Sequence, residues 1–224
     1  MGKVINKNIN LKYFNKIALN IYNAILDIIY PPEEKCIVCG IDGFIGLCPQ
    51  CKNSIKRATK KENSLSYGFY GGVIKNLILK FKYENNFTAG NLLSNFLIEM
   101  VKEQDINADI ICYVPMTKAS EKKRGYNQCR LMARNLSNDI NVPISNCLKK
   151  IKDTREQKTL TKEERMINVR GAFKVINSKD IKNKNIILID DVMTTGATTE
   201  ECRNILKKSG AKKIIVLTIA KSNI

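Results

Sequence analysis

Two adjacent carboxylates, Asp190 and Asp191, stand between an aliphatic run, residues 186–189, and a small hydroxyl-rich segment, Thr194-Thr195-Gly196-Ala197-Thr198. Four consecutive aliphatics predict a strand that is apolar on both faces, as in a parallel sheet. Ligands of open α/β sheets bind at the carboxyl ends of such strands, so both acids stand where a ligand would be met. They are expected at a solvent-facing strand end. The next residues predict a turn that opens a helix, with Glu200 and Glu201 in its first turn and Gly210 as its stop. Backbone N–H groups at a helix start, the positive end of its dipole and threonine hydroxyls together make a phosphate cradle. Ionised aspartates only accept hydrogen bonds, so they suit the hydroxyls of a sugar rather than its phosphate. The chemistry is that of a sugar 5-phosphate whose ring diol meets two carboxylates. Gly-Lys-Ser/Thr does not follow the turn and no G-x-G-x-x-G accompanies it, so neither a P-loop nor a dinucleotide fingerprint is supported.

Cysteines form a second constellation. Cys36, Cys39, Cys48 and Cys51 make a C-x2-C-x8-C-x2-C pattern, and Gly40 follows the first pair. Each pair can bend its backbone around one ion, and four thiolates complete a closed tetrahedral shell. Structural zinc is the reading, with iron as the competitor for an all-sulfur site. Two closely spaced pairs argue against a single redox dithiol, and a reducing compartment argues against disulfides. Cys112, Cys129, Cys147 and Cys202 lie in apolar-patterned segments and are expected in the core.

Histidine is absent from all 224 residues. Ser-His-Asp and Cys-His nucleophilic schemes are therefore excluded. Net charge is +17, from 38 Lys and Arg against 21 Asp and Glu, which favours polyanionic partners, chiefly nucleic acid. A lysine-rich composition without such a partner is the alternative. The apolar stretch 17–30 is interrupted by Asn20, Asn23 and Asp27, so no membrane span or signal peptide is read there, and a cytoplasmic address is expected.

The elements that must position these groups follow from periodicity. Phe14, Ile17, Ala18, Ile21, Ile25 and Ile28 predict an amphipathic helix over 13–29, ended by Pro31-Pro32. A lysine-rich linker runs through 52–66. A strand edge and two helices are read over 67–83 and 86–103, a strand over 109–114, and a helix over 123–139. A charged, uncapped stretch covers 152–170, and a strand follows at 172–176. The motif strand, its helix and a last strand at 213–220 close the chain. Strands alternating with helices imply a parallel-sheet α/β domain.

The segment 186–198 resembles the phosphoribosyl pyrophosphate (PRPP) motif of type I phosphoribosyltransferases. With the cysteine module it makes the chain resemble the ComF family of competence-related phosphoribosyltransferase-like proteins. The resemblance runs from about Pro31 to Ala220. It rests on the four cysteines, Leu79-Lys80-Phe81-Lys82-Tyr83, Val114-Pro115, Arg124-Gly125-Tyr126-Asn127-Gln128, and Thr154, Gln157, Leu160, Arg165, Asn168-Val169 and Gly171-Ala172-Phe173. Lys122, Lys123 and Lys150 depart mildly, standing where arginine is common in relatives and keeping charge without bidentate geometry.

This resemblance implies an N-terminal helix (1–32), a zinc knuckle with basic linker (33–66) and a phosphoribosyltransferase-like parallel sheet flanked by helices (67–224). It implies PRPP with Mg²⁺ as ligand, the 5-phosphate on residues 194–198 and the ribose hydroxyls on Asp190 and Asp191. A pyrophosphate-side loop would include Thr117 and Lys118, and a mobile lid over 152–170 would supply cations such as Arg155 and Arg165. Two function classes remain open. One is a protein that supports DNA uptake in natural transformation, binding single-stranded DNA and meeting other competence proteins. The other is a catalytic phosphoribosyltransferase with an unidentified acceptor. Candidate strand contacts are Lys56, Arg57, Lys60, Lys61, Lys122, Lys123 and Arg124, with Tyr67, Phe69, Tyr70, Phe81 and Tyr83 as stacking candidates for which core packing is the more common fate.

Overall fold

Four parallel strands carry the domain, and the sheet they form is covered on both faces. They are β1 (Ser64–Phe69), β2 (Ile110–Tyr113), β5 (Asn185–Met193) and β6 (Lys213–Lys221), in the spatial order β1-β6-β5-β2. This architecture comes from a computed structural model that describes Ile21, Ile25 and residues 34–59, 63–154 and 161–222. Apart from Ile21 and Ile25, which are helical, the helix expected over 13–29 lies outside the described residues.

Register aligns the aliphatics in rows: Ile187 pairs with Ile111 on one side and Ile215 on the other, and Ile189 with Tyr113 and Leu217. Odd-numbered β5 residues Ile187 and Ile189 join Leu65, Tyr67, Leu217 and Ile219 in one core. Beyond the short α1 (Pro49–Asn53), that core is closed by α2 (Gly72–Tyr83), α3 (Phe87–Glu103) and α5 (Gln128–Ile140). Even-numbered Ile186 and Leu188 join Ile214 and Val216 in a second core. It is closed by α7 (Ala197–Lys208) and by the two-stranded sheet β3 (Leu148–Lys150) and β4 (Phe173–Val175). Removing one fully buried aliphatic, as in Leu188→Ala, should cost about 2–5 kcal/mol.

One expectation is corrected and two are extended. β3 and β4 run antiparallel, so the parallel sheet is accompanied by a small antiparallel one. The stretch 152–170 is not uncapped: α6 (Lys162–Val169) starts on a capping box in which Thr161 accepts from the Glu164 amide and Glu164 accepts from the Thr161 amide. Part of the basic linker is built into the domain. Ala58 donates to the Tyr67 carbonyl and Phe69 to the Lys56 carbonyl, so residues 56–58 lie antiparallel on the edge of β1, and β1 itself starts within the range given to the linker. Edge pairing satisfies β1 N–H and C=O groups that would otherwise face solvent.

The helices that reach the site have definite stops. Buried Val73, Ile74, Leu77, Ile78 and Phe81 give α2 its apolar face, and Gly90 lets α3 approach it, because a Cβ there would lie 2.6 Å from the Phe81 ring. Asn86 caps α3 by accepting from the Ala89 amide. No helix among the described residues is long and apolar enough to cross a membrane.

Candidate functional site

Asp190 and Asp191 are the last residues of β5 to be fully enclosed, each 8 % exposed, so the expected solvent-facing strand end is a buried one. The reason is tertiary: α2 and α5 close over the end of the strand. Asp191 forms an ion pair with Lys82 from the last turn of α2. Asp190 Oδ1 accepts from the Asp191 amide at 2.9 Å and from the Cys129 thiol on α5 at 3.6 Å. Beside Asp190 in register stands Thr218, whose hydroxyl shares a 2.7 Å hydrogen bond with Ser66 on β1.

Burial and a shared site drive the two carboxyls apart, as coupled acid pairs do. Burial first, and then the Asp191 charge, pushes Asp190 up to about 7. Burial opposes ionisation of Asp191 as well, but the charge and hydrogen bond of Lys82 outweigh it and hold Asp191 below the usual carboxylate range. Burial likewise works against the Lys82 ammonium, and Asp191 reverses that and lifts it above the ordinary lysine value. Cys129 is raised by burial and then by both aspartates, so it stays a thiol and a donor. Near neutral pH the cluster holds one anion, one cation and a carboxyl that readily carries a proton.

After β5 the chain turns through Thr194 and Thr195 into Gly196, the N-cap of α7. Gly196 adopts φ 82°, a left-handed conformation that strains any residue with a Cβ. No side chain caps this helix through the usual N-cap bond. Thr195 Oγ1 accepts weakly from the Ala197 amide at 3.4 Å, and Thr199 Oγ1 donates to the Gly196 carbonyl at 2.9 Å. Thr194, Thr195, Gly196 and Thr198 are half-buried, so the turn meets solvent while its helix is anchored by buried Ala197, Thr199, Cys202 and Leu206. The five residues expected to hold a phosphate thus form one continuous turn that follows the acid pair, with Ala197 turned into the core.

At the end of β2, Pro115 leads to Thr117, which caps α4 (Lys118–Arg124) by accepting from the Ser120 amide. Lys118, Lys122 and Lys123 are exposed. Arg124 donates to Gln128 at 2.6 Å, and its guanidinium lies 5.7 Å from the ring of exposed Tyr83. Asn127 caps α5 and also donates to the Val114 carbonyl, tying the β2 end to the helix that carries Cys129. Within the expected lid, Arg155 lies outside the described residues, while Arg165 is half-buried on α6, which packs against α7. Lys150 donates to Thr154 at 2.7 Å, and burial lowers it below the ordinary lysine value.

The four N-terminal cysteines converge, with all four Sγ atoms within 4.8 Å of one another. Cys39 Sγ and Cys48 Sγ are 3.7 Å apart, against about 3.8 Å between two sulfurs on a tetrahedral zinc with 2.3 Å bonds. Gly40 and Gly46 take positive φ in the two turns that fold the pairs inward. Burial raises Cys36, but the backbone N–H groups of Cys39, Cys48 and Val38 prevail and draw it down to about 6. Ile37, Val38 and Leu47 pack on the core beneath α3, so the module is docked on the domain.

Of the strand-contact candidates, Lys56 is exposed and Lys60 and Lys61 lie outside the described residues. Arg57 is engaged within the chain: it pairs with Glu99 and Glu103 on α3 and stacks 4.1 Å over the Tyr67 ring. Tyr67 and Phe81 are core residues, leaving Tyr83 as the most exposed aromatic near the site. Sequence reasoning did not single out Lys82, Cys129 or Thr199. Lys82 stands in the motif at 79–83, but nothing local tells which of its lysines turns inward.

A family profile described as "phosphoribosyl transferase domain" matches residues 126–224, which include α5, the acid pair and the turn. Competence protein F of Haemophilus influenzae is 30 % identical over 179 residues, 77 % of this chain and 78 % of its own. Competence protein ComFC of Bacillus subtilis is 27 % identical over 193 residues, 84 % of this chain and 78 % of its own. DNA utilization protein YhgH of Escherichia coli is 23 % identical over 196 residues, 85 % of each chain.

Proposed function

The chain belongs to the ComF/ComFC family of competence proteins and carries a phosphoribosyl transferase domain, and from that premise we propose that it supports DNA uptake by binding PRPP and single-stranded DNA in the cytoplasm. One observation carries the ligand reading: buried Asp190 and Asp191 lead through one short turn and left-handed Gly196 into the N-terminus of α7, whose N-cap residue makes no side-chain bond. The 5-phosphate would take the amides that open α7 and the hydroxyls of Thr194, Thr195 and Thr198. Ribose hydroxyls would donate to the carboxylates, Asp191 being the stronger acceptor because it is held ionised. The pyrophosphate would then point toward Thr117 and Lys118, where the end of β2 meets α4.

Mg²⁺ bound through the pyrophosphate oxygens would neutralise the charge of that group. A zinc ion held by Cys36, Cys39, Cys48 and Cys51 would fix the knuckle and take no part in chemistry, since four thiolates close its shell. If transfer occurs, the bond from ribose C1 to the pyrophosphate oxygen breaks, and Asp190 and Asp191 face the cationic ring that results. The alternative role, a phosphoribosyltransferase with an unidentified acceptor, uses these same residues.

DNA binding is supported by the surface beside this corner. Exposed Tyr83 lies by Arg124, with Lys122 and Lys123 on the same short helix, and an aromatic among cations is how bases and phosphates of a single strand are held together. The names of the relatives, competence and DNA utilization, fit that surface. Anisotropy of a labelled oligonucleotide, measured with and without PRPP–Mg²⁺, tests both halves. Saturable binding that weakens steeply with salt is expected. Absence of oligonucleotide binding at low salt would leave the enzyme reading in its place.

A further inference from the structure

Cys129 Sγ, a carboxylate oxygen of Asp190 and one of Asp191 lie within 4.8 Å of one another, and all three residues are buried. That is the spacing at which a divalent cation gathers its ligands. The positive charge at this cluster, however, is already supplied by the chain. Lys82 reaches in from the last turn of α2 and pairs with Asp191, its side chain 19 % exposed against 12 % for the aspartate. We infer that Lys82 is the cation of the acid site: a tethered ammonium standing where a metal ion would otherwise bridge the carboxyls, so that the protein binds no divalent ion there unless a ligand brings one.

Two features support this beyond the ion pair itself. An ammonium is a compact charge with three donors, so one lysine can hold Asp191 and still offer a donor to an incoming oxygen. The lysine is also held in place rather than merely nearby. Tyr126 donates its hydroxyl to the carbonyl of Phe81, the residue before Lys82, and packs on the Phe81 ring at 5.3 Å. The inference deepens the sugar-phosphate reading and rests on it only in calling the acid pair ligand-facing.

Mn²⁺ titration followed by electron paramagnetic resonance tests it, using zinc-loaded protein without any sugar phosphate. Wild-type protein should take up no more Mn²⁺ than the Asp190→Asn variant, and Lys82→Arg should match wild type. Lys82→Met should gain a single Mn²⁺ site that the added change Asp190→Asn abolishes. Mn²⁺ uptake by wild type that Asp190→Asn removes would overturn the inference, as would a folded Lys82→Met that gains no site. If Lys82→Met does not fold, the wild-type carboxyl ¹³C signals of Asp190 and Asp191 decide instead. They should stay in place on addition of Mg²⁺, and movement of either would contradict the role given to Lys82. A separate PRPP titration reports the ligand reading, so failure of one leaves the other standing.

Discussion

Tyr126 closes the end of α2 from outside that helix, donating its hydroxyl to the Phe81 carbonyl while its ring packs between Phe81 and Phe87. The last carbonyls of a helix lack intrahelical partners, so this bond satisfies one of them at the turn that aims Lys82 at Asp191. The motifs at 79–83 and 124–128, separate in sequence, thereby become one support for the acid pair.

Tyr126→Phe should cost about 1–2 kcal/mol of unfolding free energy, the value of a partly buried hydrogen bond. Denaturant unfolding reads it. A change within error would mean that the carbonyl is served equally well by water.

Asp190 predicts a pH dependence. Its folded value of about 7 lies above its ordinary 3.8, so the folded state binds the proton more tightly. The contribution to stability is fully present below the ordinary value and is lost as pH rises through about 7. Asp190→Asn should remove that decline, so its melting temperature should gain on wild type between pH 5 and about pH 8. Parallel melting profiles of the two proteins would contradict the assignment.

Asp191 behaves in the opposite way. Asp191→Asn leaves the Lys82 ammonium buried without its partner and should cost about 3–5 kcal/mol, whereas Lys82→Met with Asp191→Asn should cost less than that single change. A double-mutant cycle checks this, and purely additive losses would argue against direct pairing.

Cys36→Ser should release zinc and lower thermal stability, because metal binding and folding of the knuckle are coupled. Arg57→Ala should cost about 1–2 kcal/mol through its two ion pairs and its stack on Tyr67, without changing DNA binding. Lys122→Ala with Lys123→Ala should instead reduce the salt slope of oligonucleotide binding by about 0.7 for each phosphate no longer neutralised. A slope that follows Arg57 and ignores the two lysines would reverse this placement of the strand.

What was legible in the sequence was contiguous. Strand, acid pair, turn and helix lie within residues 185–208, and the four cysteines within 36–51, so spacing alone reveals them. Burial of the acids was not legible, because it is imposed by α2 and α5 from distant parts of the chain. Arg57 read as a free cation because Glu99 and Glu103 become its neighbours only when α3 folds against β1. The α6 start is different: Thr161 and Glu164 already have capping-box spacing, but the stretch was read for its cations.

Calorimetric titration of PRPP–Mg²⁺ into wild type and Asp190→Asn at pH 8, where Asp190 is mostly ionised, tests the central claim most directly. The wild type should bind PRPP, and the variant should bind it more weakly by about 1.5–3 kcal/mol, the loss of a hydrogen bond to a charged acceptor, with its circular dichroism unchanged. No heat of binding in the wild type, or identical isotherms for the two proteins, would contradict the claim that the corner between β5 and α7 holds a ribose phosphate.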